Sequence, residues 1–472
     1  MNRRDLLKAG ALAAACAVPA VRPALAGAAP AIGAARAFSV PLPIPRVLHP
    51  SAITSEGAIY QMTMAETAVE VLPGRMTRVR TFNGRFPGPT IVARRGRPVI
   101  IRQTNKLHVP TAVHLHGGHV APGDDGYPTD TIEPGGSRDY RYPNEQRAAS
   151  LWYHDHAHHH EAENVFRGLA GSYLLTDEHE ESLPLPKDEF DVPLLFRGGR
   201  FDAEGNLVYG SDHVKGPDNG TVLVNGRPRP YFRVAARKYR FRMANMANQR
   251  PFELRLRDSS GMIQIGSDNG LLPEPVCVDS VTLWPAERAD VIIDFSRYRP
   301  GTRLVLENAA PPWNEPPEVL RFDVTCDAED DSLIPDRLAS IEDFGRPVAE
   351  REFRLSSDPK NHQFLINGKE FDPNRVDIRP GRGDTELWTI FNADERVPHT
   401  FHTHLEPFRV IDRDGRGPRG PESGLKDTIV VRPREMVRIL LRFHRYTGRY
   451  VYHCHQLEHN SMGMMGQMEI RG

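Results

Sequence analysis

The stretch Lys238-Tyr239-Arg240-Phe241-Arg242-Met243-Ala244-Asn245 alternates cations with large apolar residues. That is the period-two signature of a half-buried strand, with Tyr239, Phe241 and Met243 on one face. The unit it closes opens at Asn225-Gly226, a pair suited to a two-residue hairpin turn. The same unit occurs from Asn83-Gly84 to Asn105 and from Asn367-Gly368 to Asn392, the three turns lying 142 residues apart. In the third copy Val437, Ile439, Leu441 and Phe443 alternate with Arg438 and Arg442, as expected of a sheet with one side on a core. With 39 glycines and 41 prolines in 472 residues, many turns and few long helices are expected. The reading is an all-β chain of three consecutive β-sandwich domains, over 38–178, 186–330 and 348–472. Polar, proline-bearing stretches at 176–188 and 327–347 read as linkers.

Charge excludes one class of partner. Sixty basic residues nearly cancel 61 acidic ones, so there is no basic field to gather phosphates and no nucleic acid is expected. The first 26 residues read as an export signal. Arg3 and Arg4 precede an uncharged run between Lys8 and Arg22, then Ala24-Leu25-Ala26, and the paired arginines resemble a twin-arginine signal. Beyond it no apolar run is long enough for a membrane span. The expectation is an exported chain, periplasmic or extracellular, monomeric, with no membrane span.

The chemistry lies in four histidine segments. His114-Leu115-His116 and His154-Asp155-His156 fall late in the first repeat, and the middle repeat has no such segment. His399, His402 and His404 form the third, and His453-Cys454-His455 the fourth. A spacing of two places both imidazoles on one strand face, where they can serve one metal cluster. In His453-Cys454-His455 the pleat sends the cysteine to the opposite side, so one strand can serve two sites. On the cysteine side, Cys454, His459 and His399 can form a trigonal set with Met464 as a weak axial ligand, the donor set of a blue-copper site. The other eight histidines, His114, His116, His154, His156, His402, His404, His453 and His455, could hold three coppers between the first and third domains.

These segments resemble those of the three-domain multicopper oxidases, similar to spore-coat laccases and bilirubin oxidases. The resemblance spans essentially the whole mature chain: His-x-His-Gly, Trp-Tyr-His-Asp-His, His-x-x-His-x-His, and His-Cys-His with His and Met five and ten residues after the cysteine. Thr400 stands where the family usually has proline. The resemblance implies cupredoxin-like Greek-key domains and four copper ions. Of these, a type 2 ion is held by His114 and His402. A type 3 pair is held by His116, His154, His156, His404, His453 and His455. A type 1 ion is held by Cys454, His399, His459 and Met464. It implies oxidation of phenolic, aromatic amine or tetrapyrrole donors, or of Cu(I), one electron at a time, with O2 reduced to water. It also places His459 as the last ligand before solvent and Asp125 near the type 2 copper as a proton relay. The relatives carry a second acid directly after the last type 1 histidine, where this chain has Asn460.

Other readings are weighed against this one. A non-enzymatic relative would lack several of the histidines, and none is missing. A cuprous oxidase for copper tolerance typically has a methionine-rich insert, and none occurs between 345 and 398. His158, His159 and His160 read as a solvated loop, and His108, His119 and His444 as structural residues. Cys277 and Cys326 either pair or stay buried as free thiols.

Overall fold

The structure is a computed structural model that describes residues 36–210, 220–310 and 316–472. The segment read as an export signal lies outside the described residues. Strands dominate, and they form three pairs of sheets. In the first pair, four strands run in the order Gly88–Arg94, Ala170–Thr176, Ala149–Asp155, Val113–His116, against a five-stranded sheet built on Gly57–Glu70 and Val99–Asn105. The second pair is a seven-stranded sheet around Lys238–Asn245 and Arg288–Asp294, facing a five-stranded one. The third sets a five-stranded sheet around Thr385–Asn392 and Met436–Arg442 against four strands ordered Thr428–Val431, His399–Thr403, Gly448–Cys454, Met465–Ile470. Each pair encloses its own apolar core. No helix among the described residues is long and apolar enough to cross a membrane.

The repeat has a physical basis. Asn83, Asn225 and Asn367 all have φ near +50°, and each following glycine also has positive φ, as a type I′ turn requires. Each asparagine then clamps a neighbouring strand. Its Oδ1 accepts from the backbone N–H of Thr63, Leu195 or Arg354, and its Nδ2 donates to the carbonyl two residues earlier, at Gln61, Pro193 or Glu352. The closing residues Asn105, Asn245 and Asn392 share a second device: each Oδ1 accepts from the N–H two residues on, and each Nδ2 donates to two carbonyls. Buried amides that satisfy several backbone groups fix strand ends, which is why the same residue recurs at the same place.

One expectation changes. Tyr239, Phe241 and Met243 enter the core, but Arg240 and Arg242 are buried as well. Their face of the sheet is covered by Ser150 of the first sandwich and by Glu180 of the linker that follows it.

Candidate metal centres

The strands that carry the candidate ligands lie beside one another. Val113–His116 pairs with Ala149–Asp155 so that His114 faces His154, and His399–Thr403 pairs with Gly448–Cys454 so that His402 faces His453. The two strand pairs meet across the first and third sandwiches. His114 stacks on His404 with ring centres 3.7 Å apart, and His116 on His402 at 3.9 Å. The eight histidines expected to form a cluster are all buried. Their ring nitrogens converge in groups: His114, His116 and His402; His116, His154 and His455; His156, His404 and His453.

Backbone and carboxylate groups orient the rings. His114 Nδ1 is 2.6 Å from the Asp125 carbonyl, His402 Nδ1 2.7 Å from the Asp427 carbonyl, and His154 Nδ1 2.9 Å from the Asp155 carbonyl. With those nitrogens carrying the proton, Nε2 of each ring presents a lone pair, and none of the three has a partner. His116 is turned the other way. Its Nε2 is 2.9 Å from Asp427 Oδ1, leaving Nδ1 unpartnered. His453 Nε2 lies 3.1 Å from His156 Nε2 and 3.3 Å from His404 Nε2. Burial, reinforced by the neighbouring rings, holds His116, His154, His156, His402, His404 and His455 well below the usual imidazole range, and burial takes His453 down to about 3. Neutral imidazoles with buried, converging lone pairs fit soft to borderline divalent metal ions and little else.

On the other face of the last strand, Cys454 Sγ is 3.6 Å from both His399 Nδ1 and His459 Nδ1. The three donor atoms form one potential metal-holding group. His399 Nε2 is 2.9 Å from Asp394 Oδ2. Burial works against charging His399, but Asp394 and the Cys454 sulfur outweigh it and raise the imidazole to about 9. Met464 is fully buried in the same core cluster, and its carbonyl accepts from the Cys454 N–H. His459 does not edge the surface. It is 1% exposed, because Phe364 stacks on it with ring centres 3.9 Å apart.

Family profiles described as "Multicopper oxidase" match residues 63–180 and 346–472. A laccase of Bacillus subtilis is 37% identical, with 91% of this chain and 97% of that protein covered. A bilirubin oxidase of Albifimbria verrucaria is 35% identical, covering 91% and 80%. A crystal structure of a laccase from Pediococcus acidilactici superposes with a TM-score of 0.87 at 34% identity, covering 93% and 95%. The chain belongs to the multicopper oxidase family. As a laccase-like multicopper oxidase it is a copper-dependent oxidoreductase with O2 as electron acceptor.

Asp125, expected near the cluster, is fully buried there: Oδ2 is 2.7 Å from His404 Nδ1 and Oδ1 3.5 Å from His114 Nδ1. Two groups escaped the sequence reading. Asp427 touches His116, and Arg288 of the middle sandwich holds that Asp427 carboxylate with both terminal nitrogens, at 2.7 and 2.5 Å. A domain without ligand histidines thus still orients one. A cation in an alternating strand carries no signal for this. The His158–His160 loop is packed rather than solvated, since the His158 ring is tilted against that of His159 with centres 3.8 Å apart and meets Phe371 edge-on, and only His159 is exposed. Cys277 and Cys326 are both free and exposed, on strands of opposing sheets of the middle sandwich, so neither a bridge nor a buried thiol is found. His119 and His444 share the buried Glu406 carboxylate, each 3.3 Å from one oxygen.

Proposed function

We propose that this multicopper oxidase takes single electrons from phenols, aromatic amines or tetrapyrroles at a type 1 copper and delivers four of them to O2 at a three-copper cluster. The ligands are those read from sequence: Cys454, His399, His459 and Met464 for type 1, His114 and His402 for type 2, and His116, His154, His156, His404, His453 and His455 for the type 3 pair. The three domains are taken as 38–178, 186–330 and 348–472. Export through a twin-arginine signal over 1–26 to the periplasm or beyond, and a monomeric state, belong to the same proposal.

One observation carries it: Cys454 meets His399 and His459 on one side of its strand, while His453 and His455 join the buried imidazoles on the other. Bound copper would supply one-electron redox at the thiolate set and a place for O2 at the imidazole set. The chain's own part is positioning. The two peptide links from Cys454 to its neighbours give electrons a covalent route between the sites. The carbonyls of Asp125, Asp427 and Asp155 fix the tautomers of His114, His402 and His154. Asp125, between His404 and His114, can hold or pass a proton. Phe364 keeps water off His459. Cys454→Ser should abolish the blue absorption while leaving three coppers per chain, and metal analysis with visible spectroscopy reads both. Copper-supplied, folded wild type holding one copper or none would sink the proposal.

A further inference from the structure

Reducing O2 to two waters consumes four electrons and four protons, and neutral imidazoles lining a buried cluster are poor proton stores. Beside the cluster segments lies a carboxyl group that the ligand pattern does not use. Glu161 begins the short helix Glu161–Arg167, five residues after His156, and is 1% exposed. That helix packs on Leu457–Ser461, the helix that follows the His453-Cys454-His455 strand. Across the contact, Asn460 Nδ2 donates to Glu161 Oε1 at 3.2 Å. Glu161 Oε2 and Asn460 Oδ1 have no partner of good hydrogen-bond geometry, and the Ser461 hydroxyl lies alongside. Two unsatisfied oxygens at a seam between ligand-bearing segments are what a buried water would bridge.

We propose that Glu161 is the proton store for dioxygen reduction, its carboxyl held in place by the Asn460 amide and its protons carried to the cluster by water along this seam. This rests on the oxidase reading above. In each transfer the O–H bond of the Glu161 carboxylic acid breaks, a new O–H bond forms on the oxygen being reduced, and the carboxylate left behind takes its next proton from solvent. Electrons come from the external aromatic reductant through the Cys454 site. The outer end of the route is His159, which is exposed and has Nδ1 3.0 Å from the Ser461 carbonyl. Burial pushes Glu161 up to about 8, helped by the Asp155 carboxyl, so it is mostly protonated at neutral pH. The other ionisable groups around the seam are Glu458 on the facing helix, Tyr209 of the middle sandwich, His160, and the Arg80 and Glu163 pair. Glu161 does not touch O2; it supplies the proton, and Asn460 is the residue that positions its carboxyl.

The test uses the copper-loaded enzyme. Glu161→Gln keeps the shape and the hydrogen bond but holds no transferable proton. It should keep four coppers, the blue band and anaerobic reduction by a phenol, yet slow reoxidation by O2 about 100-fold. Wild-type reoxidation should fall as pH rises through about 8, and the variant should lose that step. The infrared difference between the two resting proteins should show a protonated carboxyl band in wild type at pH 7. Glu161→Gln combined with Asn460→Glu, which returns a carboxyl to the other side of the same hydrogen bond, should restore much of the rate. Wild-type reoxidation in Glu161→Gln, a missing carboxyl band, or loss of cluster copper in the variant would each overturn the proposal. If wild type itself bound no copper, the oxidase reading would fail instead.

Discussion

At the residue scale, the proposed cysteine site has a neighbour outside its donor set that is placed to tune a bound copper. Asp394 is a mostly buried carboxylate 2.9 Å from His399 Nε2, and its own N–H is held by Asn392 Oδ1, one of the three repeating strand-end amides. A negative charge passed through the imidazole favours Cu(II) over Cu(I). Asp394→Asn should therefore raise the type 1 potential, and Met464→Leu should raise it too by removing a weak sulfur donor. A spectroelectrochemical titration of the blue band measures both. An unchanged potential in Asp394→Asn would mean that the carboxylate only orients the ring; an unchanged one in Met464→Leu would move the axial role to another methionine. The convergence of the proposed ligands was legible because their spacing is a joint constraint on one strand face. The cover over His459 was not: Phe364 lies far from it in sequence, on Gln363–Ile366, and nothing in an apolar residue tells which ring it will stack on.

At the element scale, two sites depend on one strand, Gly448–Cys454, and its place is set by the edge strand Met465–Ile470. Tyr452 pairs with Gly466 across them. The Tyr452 ring lies over that glycine, so a Cβ at 466 would meet it at 2.4 Å, well inside contact distance. Tyr452 is packed against Phe353, Trp388 and Phe401 and has no room to retreat. Gly466→Ala should then cost about 1–3 kcal/mol, the usual penalty for overfilling a packed core. It should also disturb the histidines that flank Cys454. Thermal unfolding together with copper content measures this, and wild-type values for both would show that the strand pair tolerates the shift. That His453-Cys454-His455 lies on a strand was readable from the spacing of its histidines, but the packing around the rest of that strand was not. The same holds at Lys238–Asn245, where alternation implied arginines in water and a neighbouring sandwich covers them.

At the scale of the whole molecule, the middle sandwich holds none of the proposed ligands and yet ties the other two together. Arg288 reaches the Ser150 carbonyl of the first sandwich and the Asp427 carboxylate of the third, while Arg240 and Arg242 of the same sheet hold Glu180 of the linker that follows the first at 2.6 and 2.7 Å. Burial works to raise the Glu180 carboxyl, but the two guanidiniums prevail and hold it at about 2. An unfolded glutamate titrates near 4.5. With the folded value depressed, the stabilisation is fully present above about pH 5 and is lost as pH falls towards 2. The shift corresponds to roughly 3 kcal/mol near neutrality. Glu180→Gln should therefore lower the unfolding temperature at pH 7. The gap to wild type should narrow to less than half as the pH is brought down to 3, because the unfolded chain takes up its proton near 4.5 while folded Glu180 still holds its charge. Calorimetry of the copper-loaded proteins across that range is the measurement, and a gap that stays constant from pH 7 to 3 would mean that the seam between the first two sandwiches is held by packing rather than by this ion cluster.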